Sequence, residues 1–283
     1  MKVITWRLLC MMLLLLAISC QKQSPENRDK YVVLSPETAE IIAALGSAED
    51  VIGITRECDY PETLKGKELV GDFGAINMEK VISLAPKIVF TSGLEQEAIS
   101  LDLQKLGIEV YRSYPRTVAE MLQEILHIGR LIGKESEAED LKQELESSIT
   151  TIKNSAAGKS RPGVYLEIYR DPLMSVADNS FVGELIELSG GNNVFDRLER
   201  DYARVKAEAV IRAAPDMMIC YSRDTKDNIV TRKGWDRIPA IKNRHIYFEE
   251  DIHPDLIQRA GPRCVEGMRA LAALYEEWRA DTQ

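Results

Sequence analysis

The chain is poor in the residues from which catalytic and metal centres are usually built. Only three of its 283 residues are histidine, His127, His245 and His253, and no two stand at a metal-ligand spacing. The five cysteines form no zinc-type pair. There is no Gly-x-Ser-x-Gly elbow, no phosphate-cradling glycine loop and no dinucleotide fingerprint. Gly190-Gly-Asn-Asn193 reads as a tight turn too short for such a loop. Carboxylates are plentiful, 45 in all, so pairs arise by chance and none is singled out as a general acid and base. These absences disfavour an enzyme, and no resident cofactor or metal site is expected. The net charge of −9 does not suggest nucleic acid as a partner.

Long apolar runs are also missing, with one exception at the start. Lys2 and Arg7 precede the run Leu8 to Ile18, and Ser19-Cys20 follow. A short positive region, about eleven apolar residues and a small residue read as a secretory signal and not as a spanning helix. Ala17-Ile18-Ser19-Cys20 resembles a bacterial lipobox. Residues 1–19 are therefore expected to be a signal peptide and Cys20 a lipid anchor. Residues 20–30 are polar and suit a flexible tether. Cleavage removes two basic residues and leaves the mature chain more acidic still. It also leaves Cys58, Cys220 and Cys264, enough for at most one internal disulfide. Cys220 ends an apolar strand and reads as a small buried hydrophobe.

What the chain does have is an internal repeat. Glu79-Lys-Val-Ile-Ser-Leu-Ala-Pro86-Lys-Ile-Val89 and Glu208-Ala-Val-Ile-Arg-Ala-Ala-Pro215-Asp-Met-Met218 share Glu, Val, Ile, Ala and Pro in register. An aromatic residue stands six positions before each glutamate, Phe73 and Tyr202. Glu40-Ile-Ile-Ala-Ala-Leu-Gly46 and Glu184-Leu-Ile-Glu-Leu-Ser-Gly190 are a second, looser pair. Two related halves imply two lobes with a cleft between them, and 283 residues suffice for two modest cores.

The element pattern agrees. In 31–134 the strands Tyr31–Leu34, Val51–Ile54, Ile88–Phe90 and Ile108–Tyr111 alternate with helices Glu37–Leu45, Met78–Leu84 and Glu97–Leu106, which predicts a mostly parallel sheet with helical crossovers. Val118, Met121, Leu122, Ile125, Leu126 and Ile132 form one helical stripe. After Gly133, Ser136-Glu-Ala-Glu139 reads as a capping box. It opens a helix of about 20 residues, roughly 30 Å long, that spans 135–157 and joins the lobes. Residues 158–283 repeat the style, with strands at Val164–Ile168, Met217–Cys220 and Ile246–Phe248. The fold class is α/β, with two lobes whose mostly parallel sheets are flanked by helices and joined by a single helix.

Loops leaving strand ends line ligand crevices in such sheets. Thr55-Arg-Glu-Cys-Asp-Tyr-Pro61 is one, and Tyr60 offers it a flat face and a hydroxyl. Phe73, Tyr169 and Tyr202 lie outside the apolar stripes and suit a cleft that grips a large, partly flat ligand. His253 lies in a loop that a ligand could approach; His127 and His245 read as structural. Glu79 and Glu208 open their helices. Either alone stabilises a helix dipole by about 0.3–1 kcal/mol. As a matched pair they also suit docking to a positively charged, two-fold symmetric partner.

At these residues the chain resembles the substrate-binding proteins of bacterial ABC importers for cobalamin, haem and iron-siderophores. The resemblance rests on Cys58-Asp-Tyr-Pro61, on Asn77-Met-Glu79 to Pro86, on Gly190-Gly-Asn-Asn-Val194, on Glu208 to Pro215 and on Arg259-Ala-Gly-Pro-Arg263, and it is nearest the cobalamin branch. It implies a class III periplasmic binding protein fold with a rigid interlobe helix and the ligand between the lobes. It implies that Glu79 and Glu208 pair with a permease dimer that works with an ATPase. Cleft-lining positions carry over as Glu57, Cys58, Asp59, Tyr60, Phe73, Ser92, Tyr169, Tyr202, Asp255, Leu256, Ile257, Gln258 and Arg259. The chain departs from the cobalamin branch in having Glu57 and Ser92 where aromatics are typical, and Phe73 and Tyr202 where tryptophan is common. Ser189 replaces one cysteine of a disulfide found in some members. The expected function is lipid-anchored capture of a corrinoid-like metal chelate. Haem or a ferric siderophore remains open as the ligand, with Tyr60 or His253 available as an axial group. A corrinoid- or tetrapyrrole-processing enzyme in the same cleft remains the alternative of another class. The expected location is outside the cell membrane or in the periplasm, held by Cys20.

Overall fold

The computed structural model describes residues 29–93 and 96–282. The signal segment 1–19, Cys20 and residues 21–28 of the tether lie outside the described residues. Among the described residues no helix is long and apolar enough to cross a membrane.

The N-terminal lobe starts with β1 (Tyr31–Val33), helix α1 (Pro36–Ala44), β2 (Val51–Thr55), β3 (Glu68–Asp72) and β4 (Ala75–Ile76). Helix α2 (Met78–Ser83), β5 (Ile88–Ser92), α3 (Glu97–Lys105) and β6 (Glu109–Ser113) complete it. The strand order is β4-β3-β2-β1-β5-β6, parallel except for the β3–β4 pair. Strand β1 is central and covered on both faces, so its residues are all apolar and all buried. Ser35 caps α1 by accepting from the Thr38 amide. Gly71 must be glycine, because its φ is +139° and a Cβ would lie 2.3 Å from the Ala75 carbonyl.

Two antiparallel helices follow, α4 (Val118–Ile132) and α5 (Glu135–Ala156). The capping box expected at Ser136 is not used. The helix starts at Glu135, with Lys134 in the cap position, two residues before Ser136, and no side-chain cap. The Lys134 carbonyl takes the Ala138 amide at 3.0 Å. A Cβ on Gly129 would stand 2.5 Å from that of Ala138. This close contact between α4 and α5 sets where α5 can begin.

The C-terminal lobe holds β7 (Gly163–Glu167), β8 (Tyr169–Arg170), β9 (Leu173–Val176), α6 (Phe181–Leu188), β10 (Asn192–Asn193), β11 (Tyr202–Arg204), α7 (Ala207–Ala213) and β12 (Met217–Cys220). Short helices α8 (Lys226–Val230) and α9 (Pro239–Lys242), strand β13 (Ile246–Tyr247), α10 (Asp255–Gln258) and the long α11 (Cys264–Thr282) end it. The main sheet has the order β10-β7-β12-β13, and β11-β9-β8 form a small antiparallel sheet. The expected turn at Gly190–Asn193 is only half a turn. Gly190 has φ +99°, but Asn192 and Asn193 join the sheet beside β7. Strands β3, β4, β8, β9 and β11 were not expected. They are short, two to five residues each, and β3 exposes Leu69, so neither alternation nor a long apolar run marks them.

The lobes do not have separate cores. One contiguous cluster runs from Tyr31, Val33 and Phe90 of the first sheet, through Ile125, Leu145 and Leu271 of the long helices, to Val164, Leu166 and Ile219 of the second. Only the outer sheet faces keep their own clusters. Sharing this core opposes large hinge motion, because parting the lobes fully would expose it.

The sequence repeat is also a structural repeat. Glu79 and Glu208 are each the second residue of a helix, α2 and α7. Val81 and Val210 are each fully buried. Ala85 and Ala214 share a left-handed φ of 46°, a conformation alanine rarely adopts. Each then passes through a proline into a buried strand, β5 or β12.

Candidate ligand-binding cleft

The parallel strands of the first sheet end toward the second lobe, and the segments after them form one wall of a cavity of about 180 Å³. Glu37 follows β1, Phe73 follows β3, Ser92 ends β5, and Tyr114-Pro115-Arg116 follow β6. The opposite wall comes from the C-terminal lobe: Ser180 and Phe181 at the start of α6, Asp201 and Tyr202 at β11, and Gln258 and Ala260 beside α10. The matched aromatics of the repeat, Phe73 and Tyr202, thus line one cavity from opposite lobes.

Of the residues singled out in the sequence, Phe73, Ser92, Tyr202 and Gln258 line this cavity. The others lie around it. Glu57 turns its carboxylate to the Phe73 amide at 2.8 Å. Cys58 is 1% exposed, with its thiol toward the Val33 carbonyl; it faces the core and not the cleft. Ile257 is likewise fully buried, and Leu256 is half-buried and packs against the same core. Tyr169 is exposed on β8 and outside the lining. Of the histidines, His245 is buried against Asp281, and exposed His253 sits by Asp255.

Asp59, Tyr60, Asp255 and Arg259 belong to an ionic cluster that clamps the lobes at one side of the cleft. Its centre is Glu40 on α1, only 3% exposed. Arg259 reaches Glu40 at 3.0 Å, Asp59 at 3.2 Å and Asp255 at 2.9 Å, and it donates to the Glu57 carbonyl. Arg263 bonds the same Glu40 carboxylate and lies 4.0 Å over the Tyr60 ring. Burial disfavours the charge on Arg259, yet Asp255 and Glu40 hold it protonated above its ordinary pKa.

A second bridge closes the cleft at the cavity itself. Arg116 grips Asp201 with Nε at 3.0 Å and a terminal nitrogen at 2.6 Å, a two-pronged contact. The Tyr114 hydroxyl adds a bond to Asp201 at 3.3 Å, and the Val118 amide donates to Glu184 at 2.5 Å. Sequence reasoning missed Tyr114, Arg116, Phe181 and Asp201. The only signal for the first two was their place directly after a strand.

A larger outer groove, about 820 Å³, lies between β6 and α4. There His127 stacks on Tyr111 at 4.9 Å. Every residue lining it comes from the N-terminal lobe, so it is not an interlobe site. Among the described residues no group of three or more His, Cys, Asp or Glu is placed to hold a metal ion.

Two α/β lobes around a lined cavity, joined by one long helix, give the chain the bilobal layout of a solute receptor. The chain belongs to the periplasmic binding protein family, whose model matches residues 32–251. It is 30% identical over 251 residues to an ABC transporter substrate-binding lipoprotein of Bacillus subtilis, covering 86% of this chain and 78% of that one. It is 28% identical over 258 residues to the vitamin B12-binding protein of Vibrio vulnificus, covering 89% and 90%. Its fold matches the periplasmic heme-binding protein of Roseiflexus with a TM-score of 0.78 at 22% identity, over 90% of this chain and 99% of that one. The chain is thus an extracytoplasmic substrate-binding protein of the ABC importer type, and its class acts with a permease and an ATPase.

Proposed function

We propose that this protein is a lipid-anchored receptor that captures a corrinoid-like metal chelate between its lobes and hands it to an ABC permease. The observation that carries the reading is the pairing of Phe73 and Tyr202 on opposite walls of one cavity. Tyr114 and Phe181 add further rings to the lining. Flat faces from both sides suit a flat, largely apolar ligand. The name of the Vibrio vulnificus relative points the same way. At about 180 Å³ the cavity is below the roughly 300 Å³ at which small-molecule sites begin. A macrocycle therefore enters by parting the Arg116–Asp201 bridge. In this reading Cys20 carries the anchor, residues 21–30 form the tether, and Glu79 with Glu208 meets arginines of the permease dimer.

Arg116 supports a second reading. It is the one cationic side chain of the lining and would receive an acidic group of haem or of a ferric siderophore. Calorimetric titration with cobalamin, haemin and a ferric siderophore separates the two. Micromolar or tighter cobalamin binding is expected; haemin binding at that strength with no cobalamin binding overturns the corrinoid assignment.

A further inference from the structure

We infer that Glu57 and Gln96 are positioning residues that hold Phe73 ready for the ligand and do not contact it. The inference rests on the cleft being the ligand site. Phe73 stands in the turn between β3 and β4, where the ladder pairs Gly71 with Ile76 and Asp72 with Ala75. That ladder leaves the Phe73 peptide groups to find partners elsewhere. Both partners are side chains from other crossovers. The Phe73 amide donates to Glu57 Oε2 at 2.8 Å, and the Phe73 carbonyl accepts from Gln96 Nε2 at 3.0 Å.

Gln96 has no exposed surface and ties the wall together. Its Nε2 also donates to the Leu34 carbonyl at 3.0 Å, and its Oε1 accepts from the Ser92 amide at 2.9 Å. One amide thus joins the ends of β1 and β5 to the Phe73 turn, and two of the segments it holds line the cavity. Only an amide can donate to two carbonyls and accept an N–H in this way. Tyr202, on the other wall, needs no such help because it is paired with Val176 in the small sheet. Each aromatic is therefore fixed before the ligand arrives, which limits the ordering that binding must impose.

The test has a ligand-free arm and a ligand arm. In the first, amide exchange is followed by NMR on the full mature chain. Glu57→Ala is expected to speed exchange of the Phe73 amide by about tenfold or more, the size of a lost charge-assisted bond. Glu57→Gln keeps an acceptor and is expected to stay near the parent. Gln96→Leu is expected to free the Ser92 amide and, through the loosened turn, that of Phe73. Unchanged exchange at Phe73 in Glu57→Ala overturns the inference whether or not any ligand is known.

In the second arm cobalamin affinity is measured in a double-mutant cycle with Phe73→Ala. Glu57→Ala is expected to weaken binding by about tenfold in the parent and to add nothing once Phe73 is gone. Equal losses in both backgrounds mean that Glu57 touches the ligand itself, and the inference falls. Should the parent bind no cobalamin, the corrinoid reading fails and the cycle is run with haemin; should it bind neither, the exchange arm decides the inference alone.

Discussion

Arg116 and Asp201 join the two lobes across the mouth of the cavity, with both carboxylate oxygens engaged by one guanidinium at 2.6 and 3.0 Å. Arg116 is nearly half exposed, so water and salt compete for it and the pair adds little to folding stability. Its effect falls on access. Because the shared core resists wide opening, a small bridge at the rim can govern how often the cleft admits a large guest. Arg116→Ala and Asp201→Asn are each expected to leave the thermal midpoint nearly unchanged and to speed association of a macrocyclic ligand. Rising salt is expected to do the same for the parent but not for the variants. Stopped-flow fluorescence measures this; equal association rates in all three proteins refute the gate.

The repeat places Glu79 and Glu208 at matching exposed positions in α2 and α7. Each helix leads into a buried strand of its own lobe, β5 or β12, so a permease that touches equivalent faces of both lobes would meet both glutamates. The double variant Glu79→Ala, Glu208→Ala is expected to bind ligand as tightly as the parent while whole-cell uptake falls by about tenfold or more, as charged partners lose their counterparts. Normal uptake by the double variant would reduce both glutamates to helix-terminus residues.

The parts of this architecture that were legible in the sequence share a physical cause. The stripe from Val118 to Ile132 and the runs at Tyr31, Ile88 and Met217 are long or wholly apolar because they are buried on one stripe or on both faces. The repeat marked Phe73 and Tyr202 because duplicated backbone, down to the left-handed alanines, keeps duplicated spacing. The rest depends on contacts between distant positions. Arg116 and Asp201 lie 85 residues apart, and neither neighbourhood records the other. Glu57 illustrates a subtler limit: a loop carboxylate after a strand reads the same whether it faces a ligand or a neighbouring peptide N–H. Ser136 shows a local rule overridden, since the contact of Gly129 with Ala138 outweighs a favourable cap.

Glu40 is the charge on which the clamp of Arg259 and Arg263 is built. It is 3% exposed and accepts from both Arg259 and Arg263. Removing it leaves two largely buried guanidinium groups without their shared partner. Glu40→Ala is therefore expected to lower the unfolding free energy by about 3–5 kcal/mol, read from urea denaturation. Replacing Glu40, Arg259 and Arg263 together with apolar residues of similar size is expected to recover much of that loss, because the carboxylates that then lose Arg259, those of Asp255 and Asp59, are partly exposed to water and not buried. A triple variant as unstable as Glu40→Ala would show that the clamp contributes net attraction and not merely mutual neutralisation.

The three cysteines among the described residues, Cys58, Cys220 and Cys264, are free and buried, and their environment predicts how the fold fails in alkali. Burial pushes the Cys58 and Cys264 thiols from their ordinary 9.0 up to about 12, and burial pushes Cys220 up to about 11. In the unfolded chain these thiols lose their protons near pH 9.0; in the folded chain they keep them. Between pH 9 and about 11–12 the folded state thus holds more protons, and raising the pH favours unfolding. The contribution is complete below pH 9 and is lost progressively above it. The thermal midpoint is expected to be insensitive to pH from 7 to 8.5 and to fall from 9 upward. A variant with all three cysteines replaced by alanine is expected to start lower, because small cavities are left, but to fall less steeply. Native protein at pH 8 is expected to resist a thiol reagent until it unfolds. Rapid labelling of Cys58 in the folded chain would mean that the loop from Thr55 to Pro61 opens, which would also undo the fixed seat of Phe73 on Glu57.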